Sequence, residues 1–217
     1  MIGHKGQRRE HPLLKLGLTG GIASGKSVVG EIFVKLGAHL IQADAVAHSL
    51  MQPGRAVYEE VVRRFGREIL NPDGTINRPR LAEAAFGTPG GAPPRFKELN
   101  EIVHPAVIDH ENKWMEEISR RDPKAIAIVE AALIFESSGA SRFDRLIVVT
   151  CQPEQRIQRF ARRLGISADA ARAEVARRMA AQIPDEEKIK AADFVIDNSG
   201  PLDATEQQVH RVFAALH

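Results

Sequence analysis

Leu14-Lys15-Leu16-Gly17-Leu18-Thr19-Gly20-Gly21-Ile22-Ala23-Ser24-Gly25-Lys26-Ser27 is the stretch that decides how this chain folds. Its first six residues form a short apolar run of the kind that makes a strand buried on both faces. Its last eight satisfy G-x-x-x-x-G-K-[ST], the pattern of a loop that wraps phosphate. Glycines there let successive backbone N–H groups turn inward around phosphate oxygens, and the N-terminus of a following helix adds partial positive charge. Beyond the loop, Val28, Ile32 and Leu36 recur at a spacing of four, which predicts that helix over Ser27–Leu36. A strand before and a helix after are the context the motif requires. Gly21, Ile22, Ala23, Ser24, Gly25, Lys26, Ser27 and Val28 are therefore the candidate contacts to a nucleotide's phosphates. Lys26 can reach the outer phosphates, and the Ser27 hydroxyl can ligate Mg2+.

Working outward, Ala125–Val129, Leu146–Thr150 and Phe194–Asp197 read as further buried strands, with Ala38–Ile41 a weaker fifth. Helical patterns lie at Pro53–Phe65, Pro153–Leu164, Ala168–Ala181 and Asp203–Leu216. Strands alternating with helices predict a parallel sheet with helices on both sides. The stretch between Ala38 and Ala125 breaks that rhythm. It is mostly helical, with turn signals at Asn71–Gly74 and Thr88–Pro94, and exceeds what one crossover helix needs. A helical lobe over about residues 45–122 is expected, within a domain spanning 13–217. Met1–Pro12 is polar and basic, with no hydrophobic segment behind it to act as a secretion signal, and reads as a loose tail or an expression remnant.

Composition narrows the class. The 217 residues suffice for one substantial core, and a hydrophobic content of 43% with 27% charged residues is that of an ordinary soluble domain. With 30 Lys/Arg against 28 Asp/Glu, the net charge of +2 gives no support to nucleic-acid binding. The longest apolar stretch, Ala125–Phe135, is interrupted by Glu130 and too short to cross a bilayer. One cysteine, Cys151, excludes an intrachain disulfide framework and a Cys-rich zinc site; at the end of an apolar run it reads as a small buried hydrophobe. A reducing, cytoplasmic setting fits.

A phosphate loop alone does not establish an enzyme. A guanine-nucleotide switch would carry Asn-Lys-x-Asp, but Asn112-Lys113-Trp114-Met115 lacks the aspartate. Asp197-Asn198-Ser199-Gly200 matches D-x-x-G, yet it falls on the last strand rather than on one beside the loop.

Several candidate residues follow from position. Asp44 comes just after the weak strand, on the side where strand C-termini meet and ligands bind. A carboxylate there can accept or orient an acceptor hydroxyl, hold magnesium through water, or simply cap the helix starting at Ala45. Glu130, at the end of the next strand, is a further candidate for the magnesium shell. Arg156, Arg159 and Arg163 share a helical face, where their mutual repulsion would be relieved by an anion such as a triphosphate. His104-Pro105 reads as the start of a helix in the lobe.

Beyond the loop the sequence resembles the dephospho-CoA kinases, over about Leu14 to Gly200. The resemblance rests on LTGGIASGKS at Leu18–Ser27, LGAHLIQAD at Leu36–Asp44, Pro53-Gly54, Phe65-Gly66, Asp73-Gly74 with Asn77-Arg78, and His104-Pro105. ALIFE at Ala132–Glu136, Ala181-Gln182, Ala192-Asp193 and VIDNSG at Val195–Gly200 follow in the family's order. It implies the three-layer P-loop NTPase fold, with a five-stranded parallel sheet, a helical substrate lobe and a short lid over about 156–185. It implies transfer of phosphate from ATP, with Mg2+, to the ribose 3′-hydroxyl of dephospho-CoA. The partner it implies is that small molecule, not nucleic acid or membrane, for a cytoplasmic monomer or weak homo-oligomer. Catalysis would fall to Asp44, Lys26 and Arg159. Arg163, Asn198 and Gly200 would complete the nucleotide site, with Asp44, His48, His104, Leu133 and Glu136 on the acceptor side. Gln42 and His48 depart from the family's aspartate and arginine, Ala23 from a common loop glycine, and Ala132 from a proline.

Overall fold

The computed structural model describes residues 13–87, 94–136, 139–180 and 182–216. The tail Met1–Pro12, nearly all of the Thr88–Pro94 loop, and Ala181 at the end of a predicted helix lie outside them. Five strands, β1 (Leu14–Thr19), β2 (His39–Gln42), β3 (Ile126–Glu130), β4 (Arg145–Thr150) and β5 (Phe194–Asp197), form one parallel sheet in the order β2-β3-β1-β4-β5. Each predicted strand is present within one or two residues. β3 is buried along its whole length, and β1 and β4 are buried over four of six positions, which is why they read as apolar runs rather than alternating patterns.

Two compact units make up the chain. The first joins residues up to Ile41 with those from Met115 onward. Its helices include α1 (Lys26–Lys35), α6 (Pro153–Leu164), α7 (Ala168–Ala180), α8 (Asp185–Ala191) and α9 (Leu202–Ala215). Leu16, Leu18, Ile128, Ile147, Val149 and Ile196 from the strands pack with Val29 and Phe33 of α1 and Val209 of α9. Each such side chain contributes about 1.5–3 kcal/mol when fully buried. A smaller cluster of Ile22, Ile157, Phe160, Ala171 and Val175 fastens α6 and α7 beneath the phosphate loop.

The strand order fixes where a ligand can bind. From β1 the chain passes over the place of β3 to reach β2, whereas from β3 it leads to β4 on the other side of β1. The crevice of a parallel sheet opens at the C-terminal ends of two such strands. Leu18 pairs with Glu130 there, so the loop after β1 and the last residue of β3 are neighbours.

The second unit, Gln42–Trp114, holds α2 (Ala43–Leu50), α3 (Ala56–Phe65), α4 (Arg78–Phe86) and the start of α5 (Phe96–Arg121). Val61, Phe65, Ile69, Leu81 and Ala85 form its core. Asn77 caps α4 by accepting from the Arg80 N–H at 3.1 Å, and Pro79 occupies the first turn.

Two expectations need correcting here. α3 starts at Ala56, because Gly54 takes a positive φ of 82° and turns the chain first. His104-Pro105 does not begin a helix; it lies inside α5, which is already running from Phe96. Proline usually marks a boundary by removing an N–H and crowding the preceding turn. Here Leu99, Ile102 and Val103, on the turns before it, pack against the lobe core and hold the helix through it. Among the described residues no helix is long and apolar enough to cross a membrane.

Candidate active site

The phosphate loop links β1 to α1, and its shape is fixed from several sides. Gly25 is the N-cap of α1 in the left-handed region, at φ 98°, and a Cβ there would collide with the Asn198 amide. Ala23 is also left-handed, at φ 54°, the only non-glycine so placed among the described residues. That conformation costs an alanine about 1–2 kcal/mol relative to a glycine. Cys151, buried as expected, donates to the Ala23 carbonyl with Sγ at 3.7 Å. Ile22 is an apolar anchor packed on α6 and α7, so it can serve a nucleotide only through its backbone. Val28 is 41% exposed on the first turn of α1.

Lys26 is the first residue of α1, and its Nζ donates to the carbonyls of Gly20 (3.0 Å) and Gly21 (3.3 Å). The ammonium is thus held over the loop. Next to it, the Ser27 hydroxyl donates to Glu130 Oε1 at 2.9 Å, which joins the two residues singled out for magnesium. Glu130 is 9% exposed. A hydroxyl and a buried carboxylate are hard oxygen donors of the type Mg2+ takes, so the pair fits that ion.

On the other side of the loop, the Ser24 carbonyl accepts from Asn198 Nδ2 at 2.9 Å and from Arg159 Nη1 at 3.4 Å. Arg159 Nη2 also donates to the Asn198 carbonyl at 2.9 Å, and Asn198 Oδ1 accepts from the Thr205 hydroxyl at 3.0 Å. Asn198 is therefore a buried brace between the loop, the end of β5 and α9. Removing it leaves the fully buried Thr205 hydroxyl without its acceptor and the Ser24 carbonyl without one of its donors. Asn198→Ala should lower unfolding free energy by about 2 kcal/mol in urea titrations, and an unchanged midpoint would reject the brace. Gly200 lies two residues further on, in a turn begun by Asp197, whose Oδ1 accepts from Ser199 N at 2.9 Å. The D-x-x-G match is thus a local turn on the edge strand, two places from β1.

The arginines of α6 meet different partners within the protein. Arg156 is only 2% exposed and donates to Asp185 Oδ2 at 2.6 Å, so its charge is already matched. Arg159 faces the loop, and Arg163 lies over the Phe160 ring at 5.3 Å from its centre. Further along, Arg177 and Arg178 of α7 are paired with Glu174. The Arg177 hydrogen bond, reinforced by Arg178, holds the Glu174 carboxyl down at about 2. Because that value is depressed from 4.5, the stabilisation is full above the ordinary range and fades as pH falls towards 2.

Glu136 is likewise engaged: its Oε1 accepts from Lys188 Nζ at 3.1 Å and from Ile183 N at 3.0 Å. Lys188 is fully buried and also donates to Gln182 Oε1 at 3.1 Å. The loop after β3, which carries half-buried Leu133, is thereby tied to α8. Asp185 and Lys188 escaped sequence reasoning, since a run such as Asp-Glu-Glu-Lys-Ile-Lys looks like a solvated helix face.

In the second unit, Asp44 is exposed in the first turn of α2, whereas the N-cap is Gln42. The helix-cap role considered for Asp44 therefore does not hold. His48 follows one turn later, its carbonyl accepting from Gln52 Nε2 at 3.1 Å. His104 is half-buried within α5.

With this geometry in place, comparison with known proteins is informative. The family model for dephospho-CoA kinase (CoaE) matches residues 14–204. A dephospho-CoA kinase of Corynebacterium efficiens is 37% identical over 204 residues, covering 94% of this chain and 98% of the relative. That of Aquifex aeolicus is 38% identical over 202 residues, covering 93% and 97%. Among solved structures, TT1252 from Thermus thermophilus superposes with a TM-score of 0.75 at 32% identity, covering 95% of this chain and 99% of that one. A dephospho-CoA kinase from Campylobacter jejuni reaches 0.57 at 26%, covering 93% and 96%. A braced phosphate loop on a β2-β3-β1-β4-β5 sheet and a family match over nearly the whole length agree: this chain belongs to the dephospho-CoA kinase family.

Proposed function

We propose that the protein transfers the γ-phosphate of ATP to the ribose 3′-hydroxyl of dephospho-CoA, giving CoA and ADP in the last step of coenzyme A synthesis. The observation that carries this reading is the pre-shaped phosphate loop with Lys26 and the Ser27–Glu130 pair, in a chain of this family. Phosphoryl transfer asks the protein for in-line positioning and for neutralisation of charge on the moving group. Loop amides from Gly21 to Ser27 and the α1 N-terminus supply fixed donors. Lys26, released from the Gly20 and Gly21 carbonyls, offers its charge to the outer phosphates. Ser27 and Glu130 would hold Mg2+, which shields the phosphates when bound.

Asp44, directly after β2, takes or orients the proton of the acceptor hydroxyl. Arg159 exchanges its carbonyl partners for phosphate oxygens, and Arg163 joins it from the next turn. Asn198 and Gly200 border the adenine side. His48, His104, Leu133 and Glu136 are assigned to the acceptor. A small-molecule acceptor needs neither nucleic acid nor membrane, and we assign the enzyme to the cytoplasm as a monomer or weak homo-oligomer.

The test measures ADP formation from ATP and Mg2+ with dephospho-CoA, adenosine monophosphate or other nucleoside monophosphates as acceptor. Turnover with dephospho-CoA should exceed the others by at least about 10²-fold, since a site built to hydrogen-bond one acceptor rejects those that leave its groups unpaired. Turnover with a nucleoside monophosphate and none with dephospho-CoA would overturn the assignment.

A further inference from the structure

We propose that Arg156 is a positioning residue for the nucleotide, its guanidinium backing the phosphate loop at Gly21 while Asp185 holds it in place. The inference rests on the loop being the ATP site. A Cβ built on Gly21 would collide with Arg156 Nη1 and come within 2.9 Å of Cζ and 3.2 Å of Nη2. The guanidinium therefore lies against the loop backbone, in the space a side chain would need. Nη2 donates to Asp185 Oδ2 at 2.6 Å, and Nη1 meets Met179 Sδ at 3.3 Å. One side chain of α6 thus touches the loop, α7 and α8 together. Arg159, one turn further along α6, reaches Ser24 at the other part of the loop. α6 grips the loop at two points, and the Arg156–Asp185 pair fixes the first of them to the helices that follow.

A buried ion pair is a weak way to gain stability, because desolvation consumes most of the attraction and an apolar filler does as well. The geometry gives this pair a different role. A flat, charge-matched guanidinium sets the position of Gly21, whose neighbours present the loop amides. Two buried polar atoms beside the loop, Arg156 Nε and Ser24 Oγ, make no hydrogen bond to another protein group. Since Asp185 matches the charge, the effect of Arg156 on nucleotide is one of shape. It should appear in ATP affinity and not in the affinity for the acceptor.

The experiment is a double-mutant cycle on ATP affinity, read by titration calorimetry, with dephospho-CoA affinity as the internal control. Gly21 needs no positive φ, so Gly21→Ala adds only a methyl group aimed at Arg156. In the wild-type background it should weaken ATP binding at least about tenfold by displacing the loop. In the Arg156→Ala/Asp185→Asn background, where both charges and the obstruction are gone, it should cost less than about twofold. That background alone should bind ATP several-fold more weakly than wild type, with dephospho-CoA affinity unchanged. Should it fail to fold, Arg156→Lys, which keeps the charge but loses the flat group, should show the same selective loss for ATP. Equal effects of Gly21→Ala in both backgrounds, or wild-type ATP affinity in Arg156→Lys, would overturn the inference alone. Wild-type protein unable to bind ATP would overturn the ATP reading and this inference with it.

Discussion

Replacing Lys26 with alanine should leave a folded protein whose turnover falls by about 10²-fold or more, the scale on which a single positioned electrostatic donor acts. The ammonium contacts the carbonyls of Gly20 and Gly21 at 3.0 and 3.3 Å, at the start of the loop helix. Its loss removes two hydrogen bonds from a loop that Asn198, Arg159 and Cys151 still brace. Each bond is worth about 1 kcal/mol net, so the melting point should move by only a few degrees while turnover collapses. The comparison to make is kcat against thermal midpoint in Lys26→Ala and Lys26→Met. A folded variant with near-normal turnover would show that the loop does not act on a transferring phosphate.

The strands and the loop were legible because one interaction dominates each of them. β1, β3 and β4 are apolar over most of their length since both faces are covered, and no polar requirement competes. The phosphate loop was legible because a backbone that must point its amides inward admits few residue types. What holds the loop was not legible. Asn198 lies 174 positions from Ser24, and nothing in VIDNSG says that its amide will reach that carbonyl. The arginines of α6 were read by helical spacing as a common anion-binding face. That spacing is real, but it describes where side chains leave the helix and not what they meet. Arg156 meets Asp185, Arg159 meets two carbonyls, and Arg163 meets an aromatic ring.

The same limit explains the missed partners on α8. Lys188 and Asp185 sit in a strongly charged segment, where burial is the exception. Lys188 is fully buried because Glu136 and Gln182 take two of its three donor positions. The pairing partner, Glu136, lies 52 positions earlier, beyond any local pattern. Charged residues are inside only when matched, and the match is a property of the fold.

Asp44→Asn should cut turnover by about 10²- to 10⁴-fold, the range in which general acid–base groups act, while ATP affinity changes little. The amide keeps the shape of the carboxylate but cannot take a proton or add negative charge. Asp44 is exposed in the first turn of α2, where a carboxylate gains about 0.3–1 kcal/mol from the helix dipole. Since Gln42 and not Asp44 is the N-cap, the substitution should lower stability by no more than that amount. Turnover and stability are therefore expected to separate sharply. Measuring kcat, ATP affinity and the thermal midpoint on one preparation distinguishes the two roles a carboxylate can play at this position. A catalytic Asp44 predicts a lost kcat on an intact melting curve. Unchanged kcat with a lowered midpoint would assign Asp44 to the helix alone, and the proton of the acceptor hydroxyl would need another base.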